Sequence, residues 1–168
     1  MENQISYNAQ GQPPKGVIAH RTHPQPLSLN QLVSTMPPAE IIWLRYHTDA
    51  SYSRKLDYLA RLFKANGTSM HVVDLLGLTA AQLIDTDLVI LDTSERVDSI
   101  IEAVVMRIRQ VSKVPIIVVA ESYSPDQLVN VLTAGVDMVC SFSDPAEVLV
   151  ARCKALLRRW LQLRPSLE

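Results

Sequence analysis

The sequence predicts an α/β domain, a doubly wound sheet of five parallel strands with five flanking helices, preceded by an irregular N-terminal arm. Three observations predict it. From Ile41 onward, five short apolar runs alternate with five amphipathic stretches, the order of units that right-handed crossovers fold into one sheet. Runs such as Val114 to Val119 (VPIIVV) are apolar at almost every position, as in strands covered on both faces. Hydrophobic residues make up 48% of the chain and aromatic residues only 5%, so the core must be aliphatic.

Each element has its own signal. Residues 1–38 hold six of the ten prolines, with many Gln and Asn and almost no charge. They read as a Pro/Gln-rich arm or linker that buries too little apolar area to offset its ordering entropy. Within it, Leu27 to Met36 (LSLNQLVSTM) is a short apolar piece that could form a helical turn or dock on a neighbour. The domain proper spans 39–161, and 162–168 read as the start of a linker or a tail. Ile41 to Leu44 is the first strand. Ser53 to Ala65 then sets Leu56, Leu59, Leu62 and Phe63 on one helical face, with Asn66-Gly67 as a stop. Met70 to Val73 is the second strand, and Thr79 N-caps a short helix through Ile84.

Leu88 to Leu91 is the third strand, ending at Asp92. Val97 to Val111 repeats Ile100, Ile101, Val104, Val105 and Ile108 at helical spacing. Val114 to Val119 is the fourth strand. Ser124 caps the next helix, with Pro125 at its first position and Gly135 at its end. Met138 to Ser141 is a weaker fifth strand, and Asp144-Pro145 opens a last helix through about Leu161. In such sheets ligands gather at the carboxyl ends of the strands. The residues to watch are therefore Arg45, Tyr46, His47, Asp74, Asp92, Thr93, Ala120, Glu121 and Phe142.

Composition narrows the function. A net charge of −1 gives no global field to recruit nucleic acid or an anionic membrane. No apolar run reaches the length of a membrane span. The start, Met-Glu-Asn-Gln, has neither the basic nor the apolar region of a signal peptide, so a cytoplasmic protein is expected. Cys140 and Cys153 are too few for a disulfide framework and lack metal-knuckle spacing. Buried free thiols are the expectation, with a redox-sensing Cys140 as the alternative. His20, His23 and His71 are scattered. The loop after the first strand reads His-Thr-Asp-Ala-Ser-Tyr-Ser, and the chain has five glycines, which speaks against a Gly-rich phosphate-binding enzyme.

Between Ile41 and Arg159 the chain resembles the receiver domain of two-component response regulators, a flavodoxin-like fold. The most specific stretches are Leu132-Thr-Ala-Gly-Val-Asp137 and Asp144-Pro-Ala-Glu-Val-Leu-Val-Ala-Arg-Cys-Lys-Ala-Leu-Leu-Arg-Arg159. The latter is similar to the last helix of regulators with winged-helix output domains. Asp87-Leu-Val-Ile-Leu-Asp92 looks like the family's third strand, with Asp92 at the phosphoacceptor position. The resemblance implies a carboxylate that attacks a phosphoryl group neutralised by magnesium and a lysine.

The supporting residues depart from that pattern. The two acids that close the first strand read Arg45 and Tyr46. The hydroxyl after the fourth strand is Ala120, the lysine after the fifth is Phe142, the next proline is Ser143, and the switch aromatic is Val139. A degenerate receiver is therefore expected: no enzyme, no cofactor, and magnesium only if Asp92 is still a phosphoacceptor. In that alternative Asp49 could act as a metal ligand and Ser122 could replace the missing hydroxyl. Arg45, or another donor from the first loop, is expected to neutralise a buried Asp92; the alternative is a solvent-facing Arg45 and an Asp92 that caps backbone amides. Tyr46 and His47 could instead line a small-ligand site.

The resemblance also implies a homodimer through the fourth helix, fifth strand and fifth helix. Asp137, Arg152 and Arg159 match charged positions of that surface, whereas Met138 and Val148 stand where acids are expected. The function expected is a phosphorylation-independent regulatory module of a bacterial transcription regulator. A histidine kinase or another regulatory protein is a possible partner, no membrane is, and DNA would be contacted only through an output domain absent from this chain.

Overall fold

A computed structural model of the chain describes residues 38–46, 53–65, 67–93 and 99–163. The arm before Pro38, with Leu27 to Met36, and the positions His47, Asp49, Val97 and Asp98 lie outside the described residues. The elements follow the expected order: β1 (Glu40–Arg45), α1 (Ser53–Lys64), β2 (Ser69–Asp74), a single 3-10 turn (Leu75–Gly77), α2 (Ala80–Ile84), β3 (Leu88–Asp92), α3 (Ser99–Val111), β4 (Ile116–Ala120), α4 (Pro125–Ala134), β5 (Met138–Ser141) and α5 (Ala146–Leu163). All strand pairs are parallel, in the order β2-β1-β3-β4-β5.

Strand alternation divides the core into two. Ile41, Trp43, Leu88, Ile90, Ile117, Val119 and Cys140 pack on Leu59 and Phe63 of α1 and on Leu149, Cys153 and Leu157 of α5. Ile42, Leu44, Val89, Leu91, Ile116 and Val118 pack on Leu83 of α2, Ile101, Val105 and Ile108 of α3, and Val131 of α4. Every residue of β3 and β4 is buried, which is why those strands read as unbroken apolar runs.

The ends of the elements have local causes. Thr79 and Ser124 each accept the backbone N–H of the glutamine three residues on, while that glutamine accepts the cap's own N–H, the reciprocal cap of a Ser/Thr-x-x-Gln start. Gly135 ends α4 at φ 114°, and its N–H closes onto the carbonyls of Val131 and Leu132, a conformation that favours glycine. β4 begins at Ile116, later than the apolar run Val114 to Val119, because Pro115 has no N–H for the ladder; its carbonyl still accepts Val89 N–H at 3.0 Å. At the other end α5 continues two residues past the expected boundary at 161, to Leu163.

Candidate functional site

The chain runs from β1 out to β2 and then crosses back to β3, so the sheet order reverses between β1 and β3. Ligand sites of open α/β sheets form at that reversal, beyond the carboxyl ends of the strands. Arg45 closes β1 and stands in register with Asp92 on β3 and with Asp74 on β2. Two of the expected site residues, Arg45 and Asp92, therefore do meet at the switch point. Tyr46 follows immediately, and its N–H donates to the Asp92 carbonyl at 3.1 Å.

Asp92 is 3% exposed, and the described donor to its carboxylate is not Arg45. The indole Nε1–H of Trp43, itself 1% exposed, donates to Asp92 Oδ2 at 3.0 Å. Trp43 lies two residues before Arg45 on the same face of β1, so its long ring reaches the end of the neighbouring strand. Arg45 turns instead to the sheet edge, where Nη2 pairs with Asp74 Oδ1 at 2.9 Å. Among the described residues Trp43 donates to Asp92 and Arg45 pairs with Asp74, so the described partner of Asp92 is not Arg45; the alternative of a donor from the first loop falls on residues 47–52, outside the described ones. Solvation supplies the reason. Asp74 is 65% exposed and Arg45 37%, so their pair stays wet, whereas burying the guanidinium beside Asp92 would carry a desolvation cost that a neutral indole N–H avoids.

The other altered positions complete the rim. Ala120 is fully buried at the end of β4, and its carbonyl accepts Phe142 N–H at 2.8 Å. Phe142 packs against the core shared with α1 and α5, and Tyr46 and Val139 pack against the opposite core. Thr93, 1% exposed, donates both N–H and Oγ1–H to the Val119 carbonyl, at 3.0 and 3.3 Å. Ser122, the substitute hydroxyl considered from the sequence, is exposed. Among the described residues no three His, Cys, Asp or Glu side chains gather into a metal-holding set. The described rim does not fit a divalent ion: the strand ends beside Asp92 carry a guanidinium, a phenol, a methyl and a phenyl group, the carboxylate accepts an indole N–H, and no step through a metal follows from it.

The dimer-face candidates divide into two groups. Asp137 is engaged within the chain: its Oδ2 accepts Arg109 Nη2–H at 2.8 Å and Ile116 N–H at 2.8 Å. Arg152 is engaged too, donating to Asp144 Oδ2 at 2.6 Å. Arg159 and Val148 are exposed and Met138 is half-buried; Val129 and Leu132 of α4 are exposed as well. Two of the charges expected to bridge two copies, Asp137 and Arg152, thus hold their own chain together, whereas Arg159 and the apolar Val148 are on the surface.

Sequence reasoning missed the roles of Trp43 and Arg109. A Trp inside an otherwise aliphatic strand carries an N–H that must find an acceptor, and that was the available signal. Arg109 lies in the last turn of the apolar-striped α3, and nothing local to it signals a role beyond that helix. It is instead a clamp, donating from Nε and Nη2 to the Gly135 carbonyl at 2.9 and 2.7 Å and from Nη1 to that of Val114. Burial pulls its guanidinium below the ordinary arginine range, and Asp137 opposes that shift.

Both cysteines are buried and free. Burial pushes the Cys140 thiol up, against a lowering contribution from the Arg152 side chain; burial pushes Cys153 up as well. Neither is poised as a thiolate, which weighs against a redox-sensing Cys140. A chromogenic disulfide reagent at neutral pH is expected to leave both thiols unmodified in the native protein and to titrate both in urea. Rapid native labelling of Cys140 would restore the sensor alternative.

The longest described helix is not apolar enough to cross a membrane, nor is any other. No family model and no curated protein matches the chain. Solved structures do match in fold. A two-component response regulator from Clostridium difficile is 19% identical, with a TM-score of 0.54 over 72% of this chain and 97% of that one. A CheY-like receiver domain protein from Methanospirillum hungatei is 15% identical, with a TM-score of 0.57 over 75% and 98%. An orphan response regulator of H. pylori is 19% identical, with a TM-score of 0.54 over 73% and 100%. With its sheet order, five helices and switch-point aspartate, the chain has the flavodoxin-like fold of response-regulator receiver domains.

Proposed function

We propose that the chain is a receiver-type signalling module that regulates through protein contacts and does not depend on phosphorylation of Asp92. The observation that carries this reading is the environment of the aspartate. Its carboxylate is buried and bonded to Trp43 Nε1, with a cation at the end of β1 where the resemblance implies acids. Phosphoryl transfer to a carboxylate needs positive charge on the incoming phosphate and an accessible oxygen. Arg45 is a cation, but it is paired with Asp74, and Phe142 stands where the resemblance implies a lysine.

Incubation with a small acyl phosphate and magnesium, followed by intact mass, tests the reading. No mass change is expected. A gain of one phosphate that disappears in Asp92→Asn would establish the alternative, a phosphoacceptor module in a phosphorelay with a histidine kinase as partner.

The contact surface we assign is α4, β5 and α5. Val129 and Leu132 of α4 and Val148 of α5 are 60%, 44% and 36% exposed, apolar side chains that a twofold contact would bury. Because Asp137 and Arg152 are satisfied internally, the dimer should be insensitive to salt. Light scattering at high micromolar concentration is expected to give a dimer that Leu132→Glu converts to a monomer; a monomeric parent protein would remove the assignment. In a transcription regulator this module would pair two output domains, and the DNA contact would belong to those domains.

A further inference from the structure

We infer that the pocket between the 3-10 turn, α2 and α3 binds a small amphipathic carboxylate, its apolar body held among aliphatic side chains and its charge met by Arg107. The pocket measures about 220 Å³ and shares no residue with the rim around Asp92. It originates in unequal helix lengths. α3 has 13 residues and α2 only five, about 20 Å against about 8 Å, so α2 leaves part of the apolar stripe of α3 uncovered. Val104, Ile108 and Val111 of that stripe line the pocket, at the i, i+4, i+7 spacing that puts them on one helical face.

Depth and chemistry select the ligand. Leu83 and Ile108, which line the inner end, are 4% and 1% exposed, whereas Val111 at the mouth is 58% exposed. Protein interiors otherwise pack with few voids larger than a water molecule, and water gains little in a recess walled by aliphatic carbon. A cavity of roughly 150 Å³ with such walls admits a benzene ring, while drug-sized ligands occupy about 300 Å³ or more. The body that fits is therefore a single ring or a short alkyl chain.

The lining carries one formal charge, that of Arg107, and no acidic side chain. Arg107 is exposed, and it joins none of the ion pairs among the described residues. Gln110, three residues on along the same helix, adds an amide to the lining. Thr79, also at the mouth, already gives its Oγ1–H to Gln82 Oε1 at 2.9 Å. A guanidinium and an amide are thus the donors a ligand meets, and a carboxylate accepts from both. Apolar walls with a few polar groups to fix orientation are the usual build of a small-molecule site.

Amide NMR on the isotope-labelled full chain tests the inference, with phenylacetate as the probe and phenylethanol as its neutral counterpart. Phenylacetate is expected to shift the amides of 75–83 and 104–111 saturably, with a Kd of about 1 mM or tighter. Phenylethanol should bind there at least about threefold more weakly, and added salt should shrink the difference. Arg107→Gln should erase the difference and Arg107→Glu should reverse it, each with a thermal midpoint within about 3 °C of the parent, as for other surface changes. Val111→Asp should weaken both probes, phenylacetate the more. No saturable shift at these amides up to roughly 10 mM phenylacetate would overturn the inference. So would equal affinity for the two probes in the parent protein, or a preference for the acid that survives Arg107→Gln. Shifts at the same amides on raising the protein concentration alone would overturn it too, by assigning the pocket to a second copy.

Discussion

Arg109→Met is expected to lower the unfolding free energy by about 2–4 kcal/mol, as a lower urea midpoint with an unchanged slope. The methionine keeps the apolar stem but removes a guanidinium that donates twice to the Gly135 carbonyl, once to the Val114 carbonyl and once to Asp137. Arg109, at the end of α3, thereby ties two further places, the approach to β4 and the turn from α4 into β5. Breaking the clamp leaves carbonyls with reduced access to water and a carboxylate whose remaining described donor is Ile116 N–H, and unsatisfied groups of that kind dominate the cost. Arg109→Lys should recover less than half of the loss, because one ammonium cannot reproduce a planar fork. A stability within 0.5 kcal/mol of the parent, marked as roughly the scatter of surface substitutions, would show that the clamp carries no weight.

Trp43→Phe is expected to cost about 2–3 kcal/mol, combining lost ring volume with a buried carboxylate that loses a donor. Asp92→Asn should be much milder, under about 1 kcal/mol, because an amide oxygen still accepts the indole N–H. Asp92→Ala should cost more than Asn, since it leaves that N–H facing a void. The double variant Trp43→Phe with Asp92→Ala should cost less than the sum of its parts by about 1 kcal/mol or more, the signature of two groups in direct contact. Additive losses would mean that the indole and the carboxylate act independently, and the main support for a withheld Asp92 would go with them.

The helices and strands were legible because their signals are local. Thr79 with Gln82 and Ser124 with Gln127 announce helix starts from four residues of sequence, and both form as reciprocal caps. The buried run Leu88 to Leu91 could be read as a strand because both faces of β3 are covered. β2 was the less distinct case: it lies at the edge, is half-exposed, and extends one residue beyond each end of the apolar stretch. The site was legible only as a set of positions. That Asp92 and Arg45 would stand at the switch point followed from the strand order, which the alternation of elements implies.

Which donor meets which acid did not follow, because Trp43, Arg45, Asp74 and Asp92 come from three strands, and their pairing depends on register, face and access to water. Sequence by itself determined the layered α/β architecture, the caps and the aliphatic core. Tertiary structure alone decided that an indole holds Asp92, that Arg45 faces Asp74 at the edge, and that Asp137 and Arg152 are consumed within the chain. Local pattern sets backbone conformation through short-range sterics and hydrogen bonds. Charge pairing is settled by desolvation and distance between segments that meet only after the chain has folded.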